Sequence, residues 1–273
     1  MAAARAFDAA PASWLVRLYD AEPEGADVVV YGPDAASDDG LVFDPSHPER
    51  ILEEIGARTA RARVVLVTGG GRGVGVTSIC LHLAAASSAD RSTCVIDFDP
   101  SHGAAHRLGI GAEVGFESDA SDLELAAIPV PGGFRVVWAD GEHEKSSELV
   151  ESAALLFDRL VLDVPDGCDL AGLLARADAA VMVIAPSPTS VLRAATVLES
   201  NGDVPWATVL NRLGPGGEIR REQLERTLGR RIAVEFPCTP SLRDCEERCS
   251  LLTSKVLRWT RRLDDLHRAL ERA

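Results

Sequence analysis

The segment at 67–78, VTGGGRGVGVTS, has the composition of a loop that binds phosphate. Its glycines allow the backbone to approach a ligand closely, and the apolar run VVLV precedes it. A helix is predicted to begin at about Thr77, so backbone N–H groups and the helix N-terminus would converge on an anion. The candidate ligand-binding positions are Gly70, Gly71, Arg72, Gly73, Val74, Gly75, Val76, Thr77 and Ser78.

The P-loop pattern G-x-x-x-x-G-K-[ST] is matched incompletely by this segment. Gly70, Gly75 and Thr77 occupy the glycine and hydroxyl positions, whereas Val76 stands where the pattern has lysine. By itself a glycine-rich turn after a strand is weak evidence, because the same residues form tight turns that bind nothing. The context of the loop has to decide between the two interpretations.

Carboxylates follow two later strand candidates. Asp97 and Asp99 lie in DFDPSHG, and Asp163 lies in LVLDVPDG. At the carboxyl ends of strands, such groups hold Mg²⁺ or orient an attacking water, although aspartate is also an ordinary helix-capping residue. Two acidic segments after different strands, together with a glycine-rich loop, favour the metal-site interpretation.

Elements that would position these residues alternate along the chain from residue 63. The strand and helix candidates are RVVLVT, SICLHLAAASS, STCVIDF, FRVVWAD, KSSELVESAALL, DRLVLDV, AAVMVIAP, SVLRAATVLES, WATVLNR, EIRREQLERTLGR and IAVEF. Alternation of this kind predicts an α/β fold with a mostly parallel sheet flanked by helices on both faces, and ligands at the carboxyl ends of the strands. We expect a domain at 61–273, preceded by a small accessory extension at 1–60 that contains the strand candidate DVVVY and the helix candidate HPERILEEIGART.

Composition excludes several classes of protein. The formal net charge of −14 argues against a nonspecific grip on DNA or on an anionic bilayer, although a local basic patch stays open. Six cysteines scattered through a chain of 273 residues favour reduced thiols in the cytoplasm. The N-terminus lacks the apolar core of a signal peptide, and no stretch reaches the length of a membrane span.

Taken in order, these motifs resemble the ParA/MinD family of deviant P-loop ATPases, and especially its CpaE/TadZ-like, septum-site-determining branch. The resemblance covers about residues 63–273. It depends on the segments GGGRGVGVTS, VIDFDPSHG, FDRLVLDVPDG, AAVMVIAPSPTSVLRAATVL, VLNR and FPCTPSLRDCE.

The resemblance implies a homodimer that sandwiches ATP between its subunits. Thr77 would bind Mg²⁺, Asp99 would position the attacking water, and Asp163 would lie in the outer shell of the metal. Asp97 would support the metal site, and Asn211 would lie near the adenine.

The same resemblance shows two missing cations. The P-loop lysine of the family falls on Val76, and the signature lysine that reaches across the dimer falls on Gly71. Loss of one charge-assisted hydrogen bond should weaken nucleotide binding by about ten- to a hundredfold. Hydrolysis should suffer more, since cations on the transferring phosphoryl group supply about 10³ to 10⁵ in rate. Arg72 is a candidate replacement, because arginine can bind phosphate through two hydrogen bonds.

The sequence therefore leaves three functions open. The first is a spatial organiser of a polar apparatus, septum or chromosome, which acts through dimerisation and partner contact with weak ATP binding and slow or absent hydrolysis. Its partners would belong to a positioning system or a secretion or pilus system. The second is an active ATPase switch in which Arg72 supplies the missing charge. The third is a metabolic enzyme or metal-cluster carrier, for which the sequence offers neither a cysteine pair nor a substrate motif.

The last predicted helix, at about 255–273, carries one apolar stripe. It consists of Val256, Trp259, Leu263, Leu266 and Leu270. We expect the stripe to pack on the domain. Peripheral membrane contact is the alternative, which the basic flank RWTRR favours and the acidic LDDL opposes.

Overall fold

The computed structural model describes residues 30–31, 41–43, 51, 63–110, 123–139, 143–166, 168, 170–202, 204–211, 219–252 and 257–271. The strands are β1 (Val30–Tyr31), β2 (Leu41–Val42), β3 (Arg63–Gly69), β4 (Thr93–Asp97), β5 (Ile128–Pro129), β6 (Arg135–Trp138), β7 (Arg159–Asp163), β8 (Ala179–Ile184), β9 (Trp206–Asn211) and β10 (Ile232–Phe236). The helices are α1 (Val76–Ser87), α2 (Gly103–Leu108), α3 (Leu123–Ala126), α4 (His143–Ala154), α5 (Leu170–Leu174), α6 (Pro188–Ser200), α7 (Arg221–Leu228), α8 (Pro240–Glu247) and α9 (Leu257–Glu271).

An eight-stranded sheet forms the centre of the fold, in the order β10-β9-β8-β3-β7-β4-β6-β5. Neighbouring strands run parallel except for β5, which pairs with β6 in the antiparallel sense. β1 and β2 pair in parallel as a separate two-stranded sheet. The predicted mostly parallel α/β fold is therefore confirmed.

Helices cover both faces of the sheet, because the central strands are apolar on both sides. Every residue of β4, β7 and β8 is buried, as expected for parallel strands between two helical layers. On one face α1, α2 and α9 pack on Val65, Val67 and their neighbours. On the other face α4 and α5 pack on one half of the sheet, and α6 and α7 pack on the other half.

The C-terminal stripe packs on the core, as predicted. Trp259, Leu263, Leu266 and Leu270 of α9 are all buried. The Trp259 ring lies 4.4 Å from that of Phe236, between ring centroids. Val256, the remaining residue of the predicted stripe, lies outside the described residues.

Glycine ends the helix formed by the candidate EIRREQLERTLGR. This helix begins at Arg221 and ends at Leu228, and the following Gly229 has a left-handed φ of 64°, which favours glycine at this position.

The predicted extension at 1–60 lies mostly outside the described residues. Within that part, β1 falls in the strand candidate DVVVY, and only Ile51 of the helix candidate is described. The boundary at 60–61 also falls outside, so the division into two parts stays a prediction. Among the described residues, no helix combines the length and the apolar character required to cross a bilayer.

Candidate nucleotide-binding site

The glycine-rich loop joins the centre of the sheet to a buried helix. It leaves β3, whose neighbours are β7 and β8, and enters α1 at Val76. Gly71, Gly73 and Gly75 have φ values of 141°, 72° and 99°, which residues other than glycine rarely adopt. The predicted strand–loop–helix arrangement is therefore present, and three of the glycines are required by the shape of the loop.

Gly70 allows a close approach between the loop and α6. A side-chain carbon at position 70 would lie 2.2 Å from the carbonyl oxygen of Ser190. The Gly70 N–H donates to the Val183 carbonyl over 2.9 Å. The Ser190 hydroxyl in turn accepts from the Ala185 N–H over 3.0 Å. The start of α6 is consequently fixed against the loop.

Asn211 fixes the opposite side of the loop. Its side chain, at the end of β9, is buried, and its Nδ2 donates to the Val74 carbonyl over 2.9 Å. The resemblance implies a role for Asn211 near an adenine, and the described contact is a structural one with the loop itself. The residue therefore ties the loop to the neighbouring part of the sheet.

Ser78 is directed away from the loop. Its hydroxyl donates to Glu246 of α8 and accepts from Arg107 of α2 over 3.1 Å, and Arg107 also forms an ion pair with Glu246. Ser78 is therefore engaged with helices behind the loop in the described structure.

Asp97 organises the acidic segment after β4. Its Oδ1 accepts from the Asp99 N–H and its Oδ2 accepts from the Ala104 N–H, each over 2.9 Å. These bonds fold the chain into a turn that leads into α2. Asp97 is also the cross-strand partner of Asp163, so two carboxylates lie side by side at the edge of the sheet.

Asp99 and Thr77 both lie close to Gly103, at the start of α2. A side-chain carbon at Gly103 would lie 3.0 Å from Asp99 Oδ2 and 3.5 Å from Thr77 Oγ1. The other oxygen of Asp99 accepts from both the N–H and the hydroxyl of Ser101, over 2.9 and 2.7 Å. The structure therefore brings together the predicted site residues of the loop and of the acidic segment.

Of the two buried carboxylates, Asp163 is poorly compensated. Burial, with the charge of Asp97 as the next cause, raises the pKa of Asp163 to about 7. Burial likewise raises the pKa of Asp97 to about 6. Asp163 Oδ2 is buried and has no hydrogen-bond partner in the described part of the chain. An uncompensated buried oxygen beside a second carboxylate is a position where a cation would be stabilised.

The residues fit a magnesium ion that is bound together with a phosphate. The Thr77 hydroxyl and the Asp163 carboxylate would hold the ion, and Asp97 on the neighbouring strand would support the site. Within the described ranges no group of three or more His, Cys, Asp or Glu side chains could hold a metal on its own. Magnesium commonly takes only one or two carboxylates and completes its shell with waters and substrate phosphates.

Cations are sparse in the loop itself, as the sequence indicates. Arg72 is exposed, and Val76 packs partly buried against the apolar cluster under α1. Sequence reasoning missed a second arginine: Arg193 of α6 has its Nη1 atom 3.5 Å from the position that a side-chain carbon would take at Gly71. The order of the strands places α6 beside the loop, and this order is not encoded in any local motif.

Comparison with known proteins gives a sequence relative but no family model. No protein-family model matches the chain. It is 26% identical over 214 residues to "Maintenance of carboxysome distribution protein A" of Gloeobacter kilaueensis, covering 75% of this chain and 88% of the relative.

Two solved structures illustrate the likeness in fold. A ParA family ATPase from Chlorobium tepidum matches with a TM-score of 0.64 at 20% identity, over 76% of this chain and 99% of that one. The septum site-determining protein MinD from Pyrococcus horikoshii, complexed with Mg-ADP, matches with a TM-score of 0.62 at 16% identity, over 75% of this chain and 95% of that one. The chain therefore has the fold of the MinD/ParA-type P-loop NTPases.

Proposed function

We propose that this protein is a positioning protein of ParA/MinD type that binds Mg²⁺-ATP and acts as a homodimer on a protein assembly in the cytoplasm. The carboxysome-distribution relative makes a large cytoplasmic protein assembly the favoured class of cargo. The CpaE/TadZ-like branch, with a pilus or secretion partner, stays a sequence-based prediction within this proposal.

The observation that carries the proposal is a loop of phosphate-binding type together with a buried carboxylate that lacks a hydrogen-bond partner on one oxygen. Asp163 has a buried, unpartnered oxygen, and burial raises the pKa of this carboxyl, an effect that Thr77 partly opposes. This arrangement is costly in a protein that binds nothing there, because a buried charge without a partner destabilises the fold. It becomes favourable when a divalent cation and a phosphate occupy the loop.

Each chain residue has a defined task in this proposal. Backbone N–H groups of the loop would bind phosphate oxygens, and Thr77 with Asp163 would orient the metal. Asp99, held by Ser101, would hold the attacking water through its Oδ2 atom, which lies close to Gly103. When bound, Mg²⁺ neutralises charge on the phosphates and fixes their orientation.

Weak nucleotide binding and slow hydrolysis are part of the proposal, since the 69–78 loop contains arginine at one position and lysine at none. We infer that ATP is bound weakly and hydrolysed slowly, so the protein would act chiefly through binding. The alternative is an active ATPase switch of the same fold in which an arginine replaces the lysines. Residues 1–60 are assigned within the proposal to a separate accessory piece.

Binding of Mg²⁺-ATP tests the proposal. Calorimetric titration of the full chain, with light scattering to give its mass, should show binding below millimolar ATP and a doubled mass in the nucleotide-bound state. Asp163→Asn should lose both effects, because it removes the charge that holds the metal. Asp90→Asn, which removes an exposed carboxylate between α1 and β4, serves as the matched control and should retain both.

The opposite results are equally clear. Absence of Mg²⁺-ATP binding in the unmodified chain up to millimolar concentration, with an unchanged mass, would overturn the proposal. Steady-state hydrolysis that disappears in Asp99→Ala would favour the active switch over the weak binder.

A further inference from the structure

The position of Arg193 supports an inference that rests on the proposed function and adds a residue to the nucleotide-binding site. P-loops use a lysine that reaches the terminal phosphates, and the 69–78 loop has none. The guanidinium of Arg193 lies beside Gly71, with Nη1 at 3.5 Å and Cδ at 4.0 Å from the position of a side-chain carbon there. The space over Gly71 that a longer side chain would need is therefore occupied by a cation from another helix.

The helix that carries Arg193 is held rigidly against the loop. Ser187 caps α6 by accepting from the Ser190 N–H over 3.3 Å. One turn before Arg193, the backbone of Ser190 lies so close to Gly70 that only glycine fits there. Side chains that project from a fixed element are positioned more accurately than those on a loop. Arg72, by contrast, lies on the loop itself and is exposed.

Arg193 is bound only weakly in the described state. Its Nη1 donates to Asp166 Oδ2 over 3.0 Å, and the two side chains are 56% and 36% exposed. Ion pairs this accessible to water contribute little to stability. The same Nη1 atom lies beside the loop, so a phosphate there could replace Asp166 as the acceptor without a movement of α6.

We propose that Arg193 binds the terminal phosphates of a nucleotide held in the 69–78 loop of the same subunit, where it supplies from beside Gly71 the positive charge that a lysine provides in the P-loop pattern. The planar guanidinium supplies two parallel N–H donors to phosphate oxygens. Asp166 holds the side chain near the loop until the phosphate arrives.

Calorimetric titrations with Mg²⁺-ATP and Mg²⁺-ADP test this role. Arg193→Ala should weaken Mg²⁺-ATP binding by about ten- to a hundredfold, and it should affect Mg²⁺-ADP less, because a terminal phosphate is missing. Arg193→Lys should recover part of the loss, since it keeps the charge but not the paired donors. Asp166→Asn frees the guanidinium and should tighten binding by about two- to fivefold.

Arg176→Ala is the matched control. Arg176 also forms an exposed ion pair, with Glu151, but it precedes β8 at the amino edge of the sheet. This variant should bind Mg²⁺-ATP like the unmodified chain.

Several results would overturn the assignment. Equal Mg²⁺-ATP affinity in Arg193→Ala and the unmodified chain would reject Arg193 while leaving the proposed function intact. A loss of dimerisation with unchanged affinity would assign Arg193 to the partner's nucleotide and contradict a role in its own subunit. Failure of the unmodified chain to bind Mg²⁺-ATP would instead reject the proposed function itself.

Discussion

Arg159 and Asp163 are the first and last residues of the same strand, β7, and both are buried. Arg159, at the amino edge of the sheet, donates from Nη2 to Glu271 over 2.7 Å. Its Nη1 lies 3.2 Å from the Ser87 hydroxyl and 3.0 Å from His267 Nδ1. Asp163, at the carboxyl edge, faces another carboxylate and leaves one oxygen unpartnered among the described residues.

The amino edge uses its charges to close the fold. Arg63, which starts β3, donates to Glu271 over 2.7 Å and also to the Leu270 carbonyl. Two strands are thereby joined to the end of α9. At the carboxyl edge, Asp163 has a buried oxygen without a hydrogen-bond partner among the described residues, which costs stability. Under the proposed function, charged groups at the amino edge serve folding, and those at the carboxyl edge serve ligand binding.

Removal of Arg159 should give the largest loss of stability. Arg159→Met should lower the free energy of unfolding by about 2–4 kcal/mol, because Glu271 and Ser87 lose a buried partner. Urea denaturation followed by circular dichroism measures the change. Arg176→Met breaks an exposed ion pair and should cost less than about 1 kcal/mol. If Arg159→Met lowered the free energy of unfolding no more than this control, the charges at the amino edge would not be what closes the fold.

Removal of Asp163 should have the opposite sign. Between its ordinary pKa near 4 and its raised pKa of about 7, native Asp163 binds more protons than the unfolded chain does. Stability therefore falls as pH rises through this interval. Asp163→Asn removes that contribution and should stabilise the ligand-free protein by about 1–3 kcal/mol at pH 8, with less effect at pH 5.

Urea denaturation at several pH values, on both proteins, checks this prediction. The difference between the two curves removes the contribution of His82 and His267, since burial lowers the pKa of both histidines and both add an opposite slope to each curve. Because the charge of Asp97 helps to raise the pKa of Asp163, the difference measures the two carboxyl groups together. A difference that does not grow between pH 5 and pH 8 would contradict the proposed buried, ionised carboxylate.

The amount that sequence could predict differs between these regions. The sequence predicts the glycine loop, Asp97, Asp99 and Asp163 as site residues because each motif is local and follows a strand. It does not predict Arg159 and Arg193, because their partners are 112 and 27 residues away and become neighbours only through the strand order. The raised pKa of Asp163 also depends on burial on both faces of the sheet, which no local pattern specifies.

Asn211 offers a smaller test at the carboxyl edge. Asn211→Leu should cost about 1–2 kcal/mol, because it leaves the Val74 carbonyl without its side-chain donor. Hydrogen exchange should rise in the loop at 70–75 and stay unchanged at the amino edge. An unchanged exchange rate in the loop would show that Asn211 does not hold it, and would leave a contact with the base as its role.

The smallest expected effect concerns the contact between α1, α2 and α8. Arg107 and Glu246 are partly exposed, at 33% and 27%, so their ion pair should add only about 0.5–1 kcal/mol in a double-mutant cycle with alanine. Since α2 follows the acidic segment directly, the coupling should change when Mg²⁺-ATP binds. The double-mutant cycle is repeated in the presence of Mg²⁺-ATP to measure this change. Identical coupling energies with and without the nucleotide would show that binding at the carboxyl edge does not alter the contacts of α2.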